Sequence, residues 1–102
     1  MLTSGPVTSE HVVLFAAGAG GDPERYRPLL EHLSAHGCYV VAPCFERLMV
    51  PTATTADYVA RPVGLVEALR RSPVSEGAVI TAVGHSIGGW AALCLAGATP
   101  WG

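Results

Sequence analysis

The residues best suited to chemistry in this chain are a serine and the glycines two positions before and after it. They form the run Gly84-His85-Ser86-Ile87-Gly88. A serine nucleophile in a very tight strand-to-helix turn needs flanking residues without side chains, because those two positions approach each other closely. The helix after such a turn offers free amides to developing negative charge. The spacing therefore predicts Ser86 as a nucleophile, with Gly84 and Gly88 as the structural residues of its turn.

The flanking sequence favours this interpretation. An apolar strand is predicted over 78–83, and an Ala- and Leu-rich helical stretch covers 90–98. The alternative is a glycine-rich turn in which Ser86 only caps a helix. His85 adjoins the serine, but neighbours in such a turn point in different directions. We therefore expect His85 to pack beside the sheet rather than to act as the general base.

A second glycine-rich segment, Gly18-Ala19-Gly20-Gly21, follows the first predicted strand. Such glycines can also belong to a dinucleotide-binding fingerprint, which requires G-x-G-x-x-G. Pro23 stands where the third glycine of that pattern belongs. The sequence therefore disfavours nucleotide binding at this segment.

Strands and helices alternate along the chain, which predicts parallel strands joined by crossover helices. Residues 1–10 are small and polar and are expected to form a loose arm. Pro62 leaves two possible starts for the second helix, one near Arg61 and one earlier with a kink. The predicted elements are a strand at 11–17, a helix at 22–36, a strand at 38–42, a helix from 56 to about 71, a strand at 78–83 and a helix at 90–98.

Over residues 11–98 the chain resembles the α/β-hydrolase family, in particular serine-dependent relatives of dienelactone hydrolases, chlorophyllases and polyester-degrading esterases. The resemblance implies an α/β fold, a three-layer sandwich around a mostly parallel sheet, with about three strands and three helices present here. It implies hydrolysis of a small-molecule carboxylic ester through an acyl-enzyme, without a cofactor. It also implies that the backbone amides of Ala19 and Ile87 form the oxyanion hole. The sequence departs from the family at Ala17, where histidine is common.

The residues that would complete a catalytic triad are not found after the serine. The family order is serine, acid, histidine, but none of the 16 residues after Ser86 is Asp, Glu or His. The sequence thus predicts a single partial domain, 1–102, that lacks the C-terminal half of the fold. Without a base the serine is a weak nucleophile, so little activity is expected of the isolated chain. A non-catalytic remnant, a module completed by a partner chain, and a thioesterase or acyltransferase stay open as alternatives.

Composition narrows the function classes. Half of the residues are hydrophobic and 14% are charged, against about 25% in typical domains, and the mean hydropathy is +0.40. A chain this short and this apolar is expected to leave apolar surface exposed, where a second copy or a partner chain can bind. The net charge of −2 disfavours nucleic acid as a partner. No apolar run approaches the roughly 20 residues of a membrane helix.

The cysteines and the N-terminal residues give two further expectations. Three cysteines without close pairs argue against a disulfide framework or a zinc site, so no metal is expected. The first residues lack the basic and apolar segments of a secretion signal, which predicts a cytoplasmic location.

Overall fold

The structure is a computed structural model of the chain, and it describes residues 1–18, 21–45, 55–74 and 77–95. Helices and strands alternate after a short first strand, as the sequence predicts. In chain order the elements are β1 (Leu2–Ser4), β2 (His11–Ala16), a 3-10 turn (Pro23–Tyr26), α1 (Arg27–Ala35), β3 (Tyr39–Ala42), α2 (Thr55–Arg70), β4 (Val79–Gly84) and α3 (Ile87–Leu95).

The strands form one sheet in the order β1-β3-β2-β4. Strands β3, β2 and β4 run parallel, and β1 is antiparallel to β3. This confirms the predicted α/β class with a mostly parallel sheet. Strand β2 lies between two neighbours and is buried from Val12 to Ala16, which explains its unbroken apolar sequence.

The first strand corrects one expectation. Residues 1–10 were expected to form a loose arm, whereas Leu2–Ser4 pairs with β3, with Leu2 opposite Ala42 and Ser4 opposite Val40. The side chain of Leu2 is buried, and Gly5 turns the chain away with φ +90. A strand of three residues has too short a pattern to be recognised from sequence, and its partner is distant in the chain.

Helices cover both faces of the sheet and make three layers. Leu30 of α1 packs on one face, and Leu65 of α2 and Ala91 of α3 pack on the other. Side chains alternate between the faces along each strand because the strand period is two. The face under α1 contains Val13, Phe15, Val40 and Ala42, and the opposite face contains Val12, Leu14, Tyr39 and Val41.

The segment predicted as a helix, 22–36, is helical, a 3-10 turn followed by α1, and both of its ends have local causes. The Asp22 side chain accepts a hydrogen bond from the Glu24 amide at 3.0 Å, as an N-cap should. At the other end Gly37 adopts φ +93, the left-handed conformation in which glycine ends helices.

Helix α2 runs without interruption through Pro62, so the earlier of the two starts is the one found. A proline cannot donate to the carbonyl four residues before it, which here belongs to Tyr58. The indole N–H of Trp90 in α3 donates to that carbonyl instead, at 3.0 Å. The rings of Tyr58 and Trp90 also pack edge to face, with their centroids 5.7 Å apart. The interior proline is therefore accommodated by a residue of the neighbouring helix.

Among the helices in the described part of the chain, none has the length and apolar character needed to cross a membrane.

Candidate active site

Ser86 occupies the turn between β4, which ends at Gly84, and α3, which begins at Ile87. Its φ is +58, and among the described residues it is the one non-glycine residue with a positive φ. Such a conformation costs of order 1–3 kcal/mol and persists where the surrounding structure imposes it. The side chain is exposed. The turn thus presents a serine to solvent in a strained backbone conformation.

The two glycines of the motif allow backbone contacts that a side chain would prevent. A Cβ on Gly84 would overlap the carbonyl of Gly88, and one on Gly88 would overlap the carbonyl of Ala16 at the end of β2. The amide of Gly88 donates to the carbonyl of His85 at 2.9 Å and closes the turn. The spacing of the two glycines around Ser86 predicts such a close approach of the backbone. The nucleophilic role of Ser86 stays a prediction.

The parallel pairing of β2 with β4 brings the two glycine-rich segments together. Ala16 lies opposite Gly84 in the ladder, so both strands end at one edge of the sheet. One residue further on, the amide of His85 donates to the carbonyl of Ala16 at 3.2 Å. A Cβ on Gly18 would lie 3.0 Å from Nδ1 of His85. Residues 17 and 18 therefore lie directly beside the serine turn.

Ile87 and Ala19 are the residues whose amides the resemblance assigns to an oxyanion hole. Ile87 is the first residue of α3 and is buried, and the first amides of a helix lack acceptors within the helix itself. Ala19 lies outside the described residues. The oxyanion hole therefore stays a prediction.

Tyr26 connects the two segments through its hydroxyl. The hydroxyl accepts a hydrogen bond from the amide of Gly18 at 3.1 Å and lies 3.0 Å from Nδ1 of His85. Its ring packs against Phe15, with ring centroids 4.8 Å apart. His85 was expected to pack beside the sheet; it is instead exposed and bonded to Tyr26. Sequence reasoning gave Tyr26 no role in the site, because its partners Gly18 and His85 lie in other elements.

Arg61 binds the carbonyl group of Gly18. It is 2% exposed, and its Nη2 donates to the carbonyl of Gly18 at 3.4 Å. Its guanidinium lies over the ring of Phe45, 4.4 Å from the centroid, an arrangement that favours a cation. The amide of Gly21 also donates to the Gly18 carbonyl, at 3.0 Å. Sequence reasoning missed Arg61, because its partners lie far away along the chain.

The charged groups that flank Tyr26 in sequence form an exposed cluster. Arg27 donates to the Glu24 carboxylate at 2.7 Å and to Glu31 at 3.2 Å. The hydrogen bond from Arg27 to Glu24 holds the pKa of the Glu24 carboxyl below its ordinary value. A lowered pKa means a stabilising contribution at neutral pH that is lost as the pH falls through that pKa. Because the groups are exposed, the contribution is small.

Within the described part of the chain, no group of three or more His, Cys, Asp or Glu residues is arranged to hold a metal ion.

The mostly parallel sheet with helices on both faces places the chain among the α/β proteins. Its exposed serine lies on a strained strand-to-helix turn, at the edge of the sheet where the parallel strands end. Comparison with known proteins then specifies the family. The family model for chlorophyllase matches residues 5–99, and the chain belongs to the chlorophyllase family. The predicted relationship to α/β-hydrolase-like esterases is thereby confirmed, for the N-terminal part of such a protein.

Two curated relatives are named chlorophyllase-1, chloroplastic, from Citrus unshiu and Citrus sinensis. Each is 32% identical over 92 residues, which cover 83% of this chain and 28% of the relative. The chain therefore spans little more than a quarter of the length of these relatives. No solved structure matches it. At the coarse level, these findings support a hydrolase of the esterase type.

Proposed function

We propose that this chain supplies the nucleophile of a carboxylic ester hydrolase that acts through an acyl-enzyme. The observation that carries the proposal is the exposed Ser86 at φ +58, on a turn that Gly84 and Gly88 keep free of side chains. A cap residue has no need of this conformation, since caps adopt the ordinary extended region. A strained, exposed serine at the start of a helix suits nucleophilic attack.

In the proposed reaction, Oγ of Ser86 attacks the ester carbonyl while a base takes its proton. The resulting oxyanion accepts hydrogen bonds from the amides of Ile87 and Ala19. The alcohol then leaves with a proton, and water releases the acid from Ser86 by the same steps. We assign the base and its carboxylate partner to a part of the whole protein outside these 102 residues. The relatives are much longer than this chain, which supports that assignment.

The name of the relatives suggests chlorophyll as the substrate to test first. The chain belongs to their family, and an exposed serine leaves room for a large substrate. A simple aryl ester serves as the second substrate, because it reports on acyl-enzyme chemistry without requiring recognition of a large molecule.

Covalent labelling tests the nucleophile in the natural full-length polypeptide. A fluorophosphonate probe should label Ser86, and Ser86→Ala should abolish labelling and lower ester hydrolysis by about 10³-fold or more. Ser72→Ala is the matched control, because its hydroxyl binds the carbonyl of Ala68 at 2.7 Å within α2 and the turn that follows it. Labelling of another residue, or full activity of Ser86→Ala, would overturn the proposal.

A further inference from the structure

The hydroxyl of Tyr26 joins two segments that end at the same edge of the sheet. One is the end of β2, reached through the amide of Gly18 at 3.1 Å. The other is the serine turn, reached through Nδ1 of His85 at 3.0 Å. His85 directly precedes Ser86. One hydroxyl group therefore spans the gap between the β2 segment and the predicted nucleophile.

The protons of this bridge follow from the partners. A backbone amide can only donate, so the hydroxyl accepts from Gly18 and keeps its own proton for a second partner. It can donate that proton to Nδ1 of His85, or accept from Nδ1 when the ring carries hydrogen there. The bridge exists in both tautomers of His85, because a hydroxyl has one donor and two acceptor positions.

We infer that Tyr26 is a positioning residue for the proposed ester hydrolysis. An oxyanion hole works only when its donors converge on one oxygen, each within about 2.7–3.1 Å. One predicted donor, the amide of Ile87, lies in the serine turn together with the predicted nucleophile, and Tyr26 fixes this turn against the end of β2. The inference rests on the proposed function, and it adds a residue that the serine motif does not contain.

A side chain connects the serine turn to the β2 segment at Gly18. Among the described residues, direct backbone pairing between the segments reaches as far as the bond from the His85 amide to the Ala16 carbonyl, at 3.2 Å. The Tyr26 bridge lies beyond that bond, on the side of Gly18. Its ring is fixed against Phe15, 4.8 Å away, so the hydroxyl is held in place before substrate binds.

Removal of the hydroxyl alone gives the cleanest variant. Tyr26→Phe keeps the ring contact with Phe15 and loses both hydrogen bonds. A displacement of 1 Å at a reacting centre can cost about 100-fold in rate, so we expect a fall in kcat of about tenfold for a partial loosening. KM should change little, since the hydroxyl binds protein groups. Labelling by the fluorophosphonate probe should slow by a similar factor.

Two variants of His85 provide the matched control. His85→Asn keeps a polar oxygen near the position of Nδ1 and should retain kcat close to that of the wild type. His85→Ala removes this partner of the Tyr26 hydroxyl and should lose about as much as Tyr26→Phe. The double variant Tyr26→Phe/His85→Ala should be no slower than either single variant, because both remove the same bridge.

The outcomes separate the inference from the proposed function. Without labelling of Ser86 in the wild type, the proposed function and the inference fall together. If the wild type is labelled and Tyr26→Phe keeps kcat within twofold, the inference alone is wrong. Additive losses in the double variant would overturn it as well. If Tyr26→Phe does not fold, the comparison of His85→Asn with His85→Ala decides, and equal activities of the two would contradict it.

Discussion

Two adjacent glycines in α3, Gly88 of the serine motif and Gly89 after it, have opposite surroundings. A Cβ on Gly88 would overlap the Ala16 carbonyl, whereas one on Gly89 would have its nearest neighbour, the Gly84 carbonyl, at 3.8 Å. We expect Gly88→Ala to prevent folding or to abolish activity. Gly89→Ala should raise the free energy of unfolding by about 0.5–1 kcal/mol, since alanine favours a helix. Circular dichroism during urea unfolding of both variants measures this, and equal behaviour would contradict the geometry.

The charge and the planar shape of the Arg61 guanidinium both help to fix the position of Gly18. Its guanidinium reaches the Gly18 carbonyl and covers the ring of Phe45. Lysine lacks the planar group that serves both partners. We expect Arg61→Lys to lower the free energy of unfolding by about 1–3 kcal/mol, whereas Arg70→Lys at an exposed position should change it by less than about 0.5 kcal/mol. Urea unfolding decides, and a neutral Arg61→Lys would show that the bond to Gly18 contributes nothing.

The spacing of glycines around Ser86 could be interpreted from the sequence because a tight turn is a local structure. Tyr26 and Arg61 could not be found in that way. Each acts on Gly18 from another element, and the partners become neighbours only when the sheet and helices assemble. Residue spacing in the sequence does not show which groups the Tyr26 hydroxyl contacts.

At the scale of elements, Pro62 and Trp90 form a coupled pair. Trp90 donates to the Tyr58 carbonyl that Pro62 leaves without its helical donor. Trp90→Phe should cost about 1 kcal/mol of unfolding free energy. In a Pro62→Ala background the new amide takes over that carbonyl, so the same substitution should cost clearly less. A double-mutant cycle by urea unfolding tests this, and equal costs in both backgrounds would contradict the coupling.

The elements themselves were largely predictable where their signals are local. The cap at Asp22 and the left-handed Gly37 mark the ends of the first helical segment. Strand β1 was missed, because its pairing with β3 is set by an available sheet edge rather than by its own three residues. The sequence leaves the path of α2 through Pro62 open for a similar reason, because the group that compensates for the proline belongs to α3.

For the whole molecule, the distribution of apolar surface matters most. Strand β4 is last in the sheet order, so among the described strands it pairs only with β2, and Val79 and Ile80 are 57% and 44% exposed. Leu93 of α3 and Val59 of α2 are 58% and 59% exposed. An apolar sheet edge beside apolar helix faces favours association with further polypeptide. This agrees with the high hydropathy of the sequence.

We therefore expect the 102-residue chain, produced alone, to self-associate. Analytical ultracentrifugation at increasing protein concentration should show species larger than the 10.5 kDa monomer. Val79→Lys should reduce association, since a lysine on an edge strand opposes pairing with another chain. Val7→Lys is the control, because Val7 is also exposed but lies outside the strands. A monodisperse monomer that unfolds cooperatively would show instead that this exposed apolar surface needs no cover.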